Sequence, residues 1–198
     1  TLCKGAAVGD LATVMENAVL GDMSVLRERA QVKPDVKVWP EKDIEAGAQV
    51  RADLVWGTRA RKTLFGRRDI NGQLNVDITT DMACRLGTAF GSMCPADSAL
   101  LIGSDNSTGS AALAGALAAG ALSTGVAIIS IGGIAAPVTR FGVGHYHAGG
   151  GIHIRLEAER VHLDFISQTG ANINRAQERK LENLLASDDF RLCSAADI

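Results

Sequence analysis

The chain of 198 residues, 46% hydrophobic and 21% charged, has room for one or two folded domains and enough apolar material for a core without disulfide staples. A net charge of −2 and an aromatic content of 4% argue against an electrostatic grip on nucleic acid or an anionic membrane, and against a base-stacking platform. Cys3, Cys84, Cys94 and Cys193 form no C-x-x-C pair, so the spacings suit reduced thiols in a cytoplasmic protein rather than a zinc knuckle. The most apolar run, Ala111 to Ile134, is broken by glycines and reads as a buried helix plus a buried strand, not as a membrane span. Thr1 opens in mid-pattern, as though the chain were cut from something longer.

From Val8 a large apolar residue recurs at every sixth position: Val8, Val14, Leu20, Leu26, Val32, Val38, Ile44, Val50 and Trp56. Four positions after each of the first eight stands a second, mostly small residue: Ala12, Ala18, Ser24, Ala30, Val36, Lys42, Ala48 and Leu54, with Lys42 the one break. A period of six fits neither a helix nor a simple amphipathic strand. It fits a solenoid of three flat sides in which each short strand sends one residue inward, the hexapeptide pattern of left-handed parallel β-helices. The expected boundaries are 1–59 for this segment and 60–198 for a second domain. All four histidines of the chain lie beyond residue 144, so the coils read as a spacer or assembly element rather than an acyltransferase. An open solenoid end costs stability, so further coils or another chain should cover it; a homo-oligomer or other domains of the parent chain are the expected partners.

The rhythm stops at the basic run Arg59–Lys62, and α/β text begins. Val76 to Met93 reads as a helix capped by Thr79 or Thr80, Ala99–Ile102 as a short buried strand, and Gly103–Ser107 as a turn. Ala111–Leu122 reads as a helix, Val126–Ile131 as a strand and Val138–His147 as a helix. Ile152–Leu156 and Arg160–Ile166 alternate like the arms of a hairpin, and Asn172–Leu185 is a helix capped by Asn172 or Asn174. This order implies a three-layer α/β/α domain around a mixed sheet.

The order of motifs across residues 63–186 resembles the first domain of the phosphoglucomutase/phosphomannomutase superfamily. Where that family opens with a segment like L-F-G-T-(S/D)-G-I-R-G, this chain has Leu64-Phe65-Gly66-Arg67-Arg68-Asp69-Ile70-Asn71-Gly72. Leu86-Gly87 matches the leucine-glycine pair that ends a helix in the family, Gly103-Ser104-Asp105-Asn106-Ser107 stands for G-x-D-x-R, and Ala116 to Val126 is similar to A-L-x-A-G-L-x-S-x-G-V. Ala148-Gly149-Gly150-Gly151-Ile152 echoes A-D-G-G-I, and Gly170 to Asn183 looks like the link to a next domain. Hexapeptide coils before such a domain also look like the middle of bacterial mannose-1-phosphate guanylyltransferase-like fusion proteins of nucleotide-sugar synthesis.

The resemblance implies phosphoryl transfer through a serine in T-A-S-H-N-P, with Mg²⁺ as cofactor in complete relatives. In this chain the matching loop is Arg155-Leu156-Glu157-Ala158-Glu159-Arg160, and no serine occurs between Gly151 and Phe165. Glu157 stands near the nucleophile's place, Asn71 and Ser107 replace two arginines, and the family's metal-binding D-G-D-x-D-R segment is absent from the chain. The expectation is therefore a degenerate domain with no catalytic residue, no metal and no cofactor of its own, kept for structure, assembly or regulation. The alternatives are a working phosphohexomutase domain and a pure oligomerisation module.

Two sets of residues are candidates for a sugar phosphate. Gly103, Ser104, Asp105, Asn106 and Ser107 offer backbone amides before a helix, although Ser107 serves equally as a plain N-cap. Arg67, Arg68 and Arg155, with Arg160, offer a basic pocket, set against a solvated face paired to Glu157 and Glu159. His145, His147, His153 and His162 lack acidic or cysteine partners at metal-ligand spacing and read as surface or polar-core histidines. Gly149–Gly151 precedes a strand and is no dinucleotide fingerprint, and Asp188-Asp189 and Cys193–Ile198 are expected to be exposed or frayed.

Overall fold

A computed structural model describes residues 1–51, 53–54, 59–60 and 63–194, with only the backbone considered at 59–60. The chain divides into two compact units, Thr1–Leu64 and Phe65–Ile198. Trp56, Arg61 and Lys62 lie outside the described residues.

In the first unit the six-residue rhythm becomes two-residue strands: β1 (Ala7–Val8), β2 (Thr13–Val14), β3 (Val19–Leu20), β4 (Val25–Leu26), β5 (Gln31–Val32), β6 (Lys37–Val38), β7 (Asp43–Ile44) and β8 (Gln49–Val50). Each of the first five pairs in parallel with the strand three positions on, as Val8 with Leu26, Val14 with Val32 and Leu20 with Val38. Side chains alternate along a strand, so one residue of each pair points in. Leu20, Leu26, Val32 and Ile44 are fully buried together with Ala18, Ala30 and Ala48. The chain turns a corner at Gly5, Leu11, Asn17, Met23, Arg29, Asp35, Glu41 and Gly47, all with φ between 55° and 71°. Ser24 is wholly buried and its hydroxyl donates to the Trp39 carbonyl at 2.9 Å.

The register shortens by two residues at the far end. Leu54 bridges to Val38, and β9 (Arg59–Ala60) pairs with β7 through Asp43↔Arg59 and Ile44↔Ala60. Leu54, one of the second, mostly small residues of the repeat, thus takes a pairing position. The six-residue phase is thus lost between Val50 and Leu54, while parallel pairing continues into β9.

The second unit is built on a five-stranded mixed sheet of order β10-β14-β13-β11-β12. Its elements are β10 (Ile70–Gln73), α1 (Thr80–Met93), β11 (Ala99–Ser104), α2 (Thr108–Leu122), β12 (Ala127–Ile131), α3 (Ala136–His145), β13 (Gly150–Glu157), β14 (Arg160–Ser167) and α4 (Arg175–Ser187). β11, β12 and β13 run parallel; β14 is antiparallel to both β13 and β10. Successive strand residues face opposite sides, and Gly150 lies beside Phe90 of α1 while Gly151 lies beside Val143 of α3. Helices α1 and α3 therefore cover opposite faces, giving the α/β/α layering.

The α1 face holds an aromatic core, in which Phe165 packs edge-on against Phe65 and Phe90 at centroid distances of 5.6 and 5.1 Å. Helix α2 crosses α1 at near backbone contact, because Gly87 faces the Leu117 carbonyl and Gly120 faces the Cys84 carbonyl with no room for a Cβ. On the α3 face Leu101, Val143, Ala148 and Ile166 form a smaller core.

Several boundaries differ from the sequence reading for local reasons. Val76–Ile78 is a turn, not helix: the Asp77 carboxylate accepts from the Gln73 amide, Asn75 has φ 61°, and Thr79 caps α1 through the Met82 amide. Strand β10 was not foreseen, since Ile-Asn-Gly-Gln has no clear alternation. Gly103 and Ser104 belong to β11 rather than to a turn, and α2 starts at Thr108 rather than Ala111. Asn174, not Asn172, caps α4, and its oxygen and the Gln177 side chain complete a capping box. Asp188, Asp189 and Ser194 are exposed, as the sequence reading has them, while the segment is hydrogen-bonded as far as Cys193. The Arg191 guanidinium donates to the Thr124, Cys94 and Gly91 carbonyls, the Cys193 amide donates to Ser123, and Asp188 pairs with Arg85.

Candidate functional site

Parallel strands β11 and β13 lie at the point where the connections diverge: α2 leads from β11 out to β12, and α3 returns across β11 to β13. The carboxyl ends of strands at such a switch are where open α/β sheets place ligands. Here the Gly103–Ser107 segment is already engaged. One Asp105 oxygen accepts from the Ser107 amide at 2.9 Å and the Ser107 hydroxyl at 2.7 Å, and the other accepts from the Leu156 amide at 2.7 Å. Burial alone would raise the Asp105 carboxyl, but these hydrogen bonds outweigh it and hold it below its ordinary range. Ser107 caps α2 by accepting from the Ser110 amide. The chain's own carboxylate fills the nest that the sequence offered to a phosphate.

The 155–160 segment is the end of the β13–β14 hairpin. Glu157 pairs with Arg160 across a two-residue turn, Ala158-Glu159, with Ala158 at φ 55°. Its residues do not converge on one point. Arg155 reaches back to Asp69, Arg160 reaches Asn71 Oδ1 rather than Glu159, and Glu159 accepts from Gln73 Nε2 at 3.2 Å.

On the α3 face, running outward from beneath α3, the hairpin and β10 carry a polar ladder. His153 stands opposite Asp164, Arg155 opposite His162, and His162 opposite Asn71. His153 is buried, with Nδ1 at 2.8 Å from Thr139 Oγ1, and burial pushes its pKa down toward the neutral imidazole. Asp69, also buried, gathers the centre: Oδ2 lies 2.6 Å from His162 Nδ1 and 3.4 Å from Arg155, and Oδ1 accepts from Asn71 at 2.8 Å. Burial works to raise the Asp69 carboxyl, but the hydrogen bonds from His162 and Asn71 and the charge of Arg155 hold it low. Arg155 also meets Glu157 at 3.0 Å and stands 3.9 Å from Asp164, yet its buried Nε has no hydrogen-bond acceptor.

Beside this ladder opens a cleft of about 730 Å³ lined by Arg67, Arg68, Asp69, Arg140, Arg155, Asp164 and Asn172. Of the sequence candidates it unites Arg67, Arg68 and Arg155, and it leaves out the Gly103–Ser107 segment. Arg140 and Asn172 were missed. Arg140 comes from the second turn of α3 and is held by the Gly170 carbonyl and Asn172 Oδ1; only the sheet order brings these elements together. Among the described residues Arg67, Arg68 and Arg140 have no carboxylate partner, whereas Arg155 has three. Also among these residues, no three metal-ligating side chains converge, and no helix is long and apolar enough to cross a membrane.

Comparison with known proteins places the second unit. The family described as phosphoglucomutase/phosphomannomutase, alpha/beta/alpha domain I, matches residues 62–192. The chain is 28% identical over 134 residues to a phosphoglucomutase/phosphomannomutase of Thermococcus kodakarensis, a match covering 64% of this chain. It is 30% identical over 131 residues to a phosphoglucosamine mutase of Halalkalibacterium halodurans, covering 63%. The chain spans 29% of the length of each of these two relatives. A crystal structure of a phosphoglucomutase/phosphomannomutase family protein from Burkholderia thailandensis shares the fold with a TM-score of 0.59 at 24% identity, over 66% of this chain and 31% of that one.

Proposed function

The chain belongs to the phosphoglucomutase/phosphomannomutase family through that family's α/β/α domain I, and from that premise we propose that the second unit is a phosphosugar-binding unit of the mutase type that forms no phosphoserine. The observation that supports this reading is the charge imbalance of the cleft, where Arg67, Arg68 and Arg140 lack a carboxylate partner among the described residues. A phosphate monoester supplies the missing charge, and guanidinium groups match its oxygens. The phosphoserine half of the reading rests on the hairpin, which from Gly151 to Phe165 holds neither serine nor threonine and closes on two residues. Calorimetric titration with mannose and glucose phosphates is expected to show binding that weakens with salt, and R140A should cost about tenfold or more in affinity. Absence of binding, or a phosphorylated serine after incubation with hexose bisphosphate, sinks it.

A second reading, a working phosphohexomutase, draws on the names of the relatives, which are mutases. Interconversion of hexose phosphates in a coupled assay, lost on changing Arg155 or Glu157, would favour it. The finer readings of the first unit belong to the same proposal. The parallel register shared by β1 to β8 supports a left-handed β-helix that mediates assembly as a homo-oligomer or with other domains. The succession of coils and mutase unit is the support for a guanylyltransferase-like fusion.

A further inference from the structure

We infer that the second unit pairs with a second copy of this chain, edge to edge, through an antiparallel β12–β12 ladder whose two-fold axis passes by Ile129. The inference concerns a surface apart from the arginine cleft and from the coils, and it goes beyond the reading of either.

Strand β12 stands at one end of the sheet, paired on one side with β11. The Ala127 amide donates to the Ser98 carbonyl at 3.1 Å, so by alternation Ala127, Ile129 and Ile131 turn their backbone groups toward β11. Ile128 and Ser130 turn theirs outward, where these amides and carbonyls have no partner among the described residues. Such an edge is a template for another strand unless charge, proline or a bulge blunts it. The other end of the same sheet is blunted: the Asp77 carboxylate takes the Gln73 amide of β10 at 2.9 Å, and Arg160 reaches Asn71. Strand β12 has no such device. Ala-Ile-Ile-Ser-Ile carries neither charge nor proline and keeps its register on β11 without a bulge.

Charge identifies the occupant. No charged residue and no histidine lies between Asp105 and Arg140, a run that builds α2, β12 and the first turn of α3, although 21% of the chain is charged. An edge without ions complements another like it, and a two-fold axis brings the same patch of a second copy against it. The flanks are apolar as well. Thr139, Gly142 and Val143 face α3 inward, and Arg140 points toward Gly170 and Asn172, which follow β14. On the helix wheel Val138 then falls on the opposite flank, the one toward β12, with Phe141 on the outer face. Leu122, Val138 and Phe141 are exposed at 36, 47 and 71%, and with the strand edge they offer on the order of 600 Å² per copy, the lower end of what a stable pair buries. The outward groups fix the register. Ile128 exchanges both backbone hydrogen bonds with Ser130 of the second copy, and Ile129 meets its counterpart as a non-hydrogen-bonded pair with Cα atoms about 4.5 Å apart.

The test uses the full chain. In hydrogen exchange followed by NMR, the Ile128 and Ser130 amides are expected to slow as protein concentration rises. I129C under mild oxidation should give an interchain disulfide at 129, mapped by mass spectrometry, because that Cα separation suits one. S130C should give none at 130, since its counterpart lies two residues out of step. S130P removes an outward amide at an edge position where proline is tolerated, and should weaken association at least about tenfold in sedimentation equilibrium. A chain that stays at its 20.7 kDa mass up to about 100 μM overturns the inference. So does association that S130P leaves unchanged, which would place the contact on the coils or elsewhere, and so does cross-linking at 130 rather than 129. Near-ultraviolet circular dichroism shows whether each variant is folded. If S130P is not, the I129C cross-link and the exchange of the unaltered chain decide.

Discussion

At the scale of single residues, the site is held by carboxylates that the protein keeps ionised. Asp105 accepts from two backbone amides and a hydroxyl, one amide lying 51 residues away on β13. Asp105→Ala strands the Leu156 and Ser107 amides, and a loss of about 2 kcal/mol in urea unfolding is expected. Asp69 and Asp105 are both held below the ordinary carboxylate range by their donors, against the opposing effect of burial. A carboxylate lowered on folding stabilises above its unfolded value and loses that contribution as pH falls through its folded value. Stability measured downward from neutral pH should therefore fall through and below the usual carboxylate range, and D105N should flatten that slope. Cys94 behaves in the opposite sense, since burial, against the charge of Arg191, pushes its thiol up to about 11. At mildly alkaline pH iodoacetamide should label Cys3, Cys84 or Cys193, which are half-buried, well before Cys94, which is buried; prior labelling of Cys94 would contradict this. Ser107 as a cap was legible from its place before a helix. The Asp105 engagement was not, because the Leu156 amide comes from a strand that is distant in sequence.

At the scale of elements, the two units were legible to different degrees. From Leu20 to Val50 every sixth residue is buried, and Leu20, Leu26, Val32 and Ile44 are at zero exposure, because spacing of this kind acts over a few neighbouring positions. The corners were not legible. Leu11, Met23 and Glu41 adopt positive φ, which their side chains do not favour, because the stacking of neighbouring strands imposes it. In the second unit the α1/α2 crossing depends on Gly87 and Gly120, whose faces meet opposing backbone carbonyls. Backbone cannot yield as a side-chain tip can. Gly120→Ala is expected to cost about 3 kcal/mol by forcing the helices apart, seen as a lower midpoint in thermal melts. Strand β10 escaped the sequence reading because four residues with Asn and Gly carry too little alternation. It exists as an edge strand because β14 offers it a complete antiparallel register.

At the scale of the whole molecule, the second unit carries its own sheet, both helix layers and its own cores, so a fragment beginning at Phe65 should unfold cooperatively with helical circular dichroism. A molten signal from that fragment would mean that its stability depends on the coils. By itself the sequence determined the repeat of six, the alternation of strands and helices, the order of motifs shared with the mutase family, and a 155–160 segment without serine. These are properties of spacing and residue type, which act over a few neighbouring positions. Tertiary structure alone decided that Asp105 fills the Gly103–Ser107 nest and that Arg140 and Asn172 join Arg67, Arg68 and Arg155 around one cleft. It alone brought His162 to Asp69. The physical reason is that strand order and register set which distant side chains share a face, and hydrogen bonds and charge pairs depend on ångström separations that linear spacing does not encode.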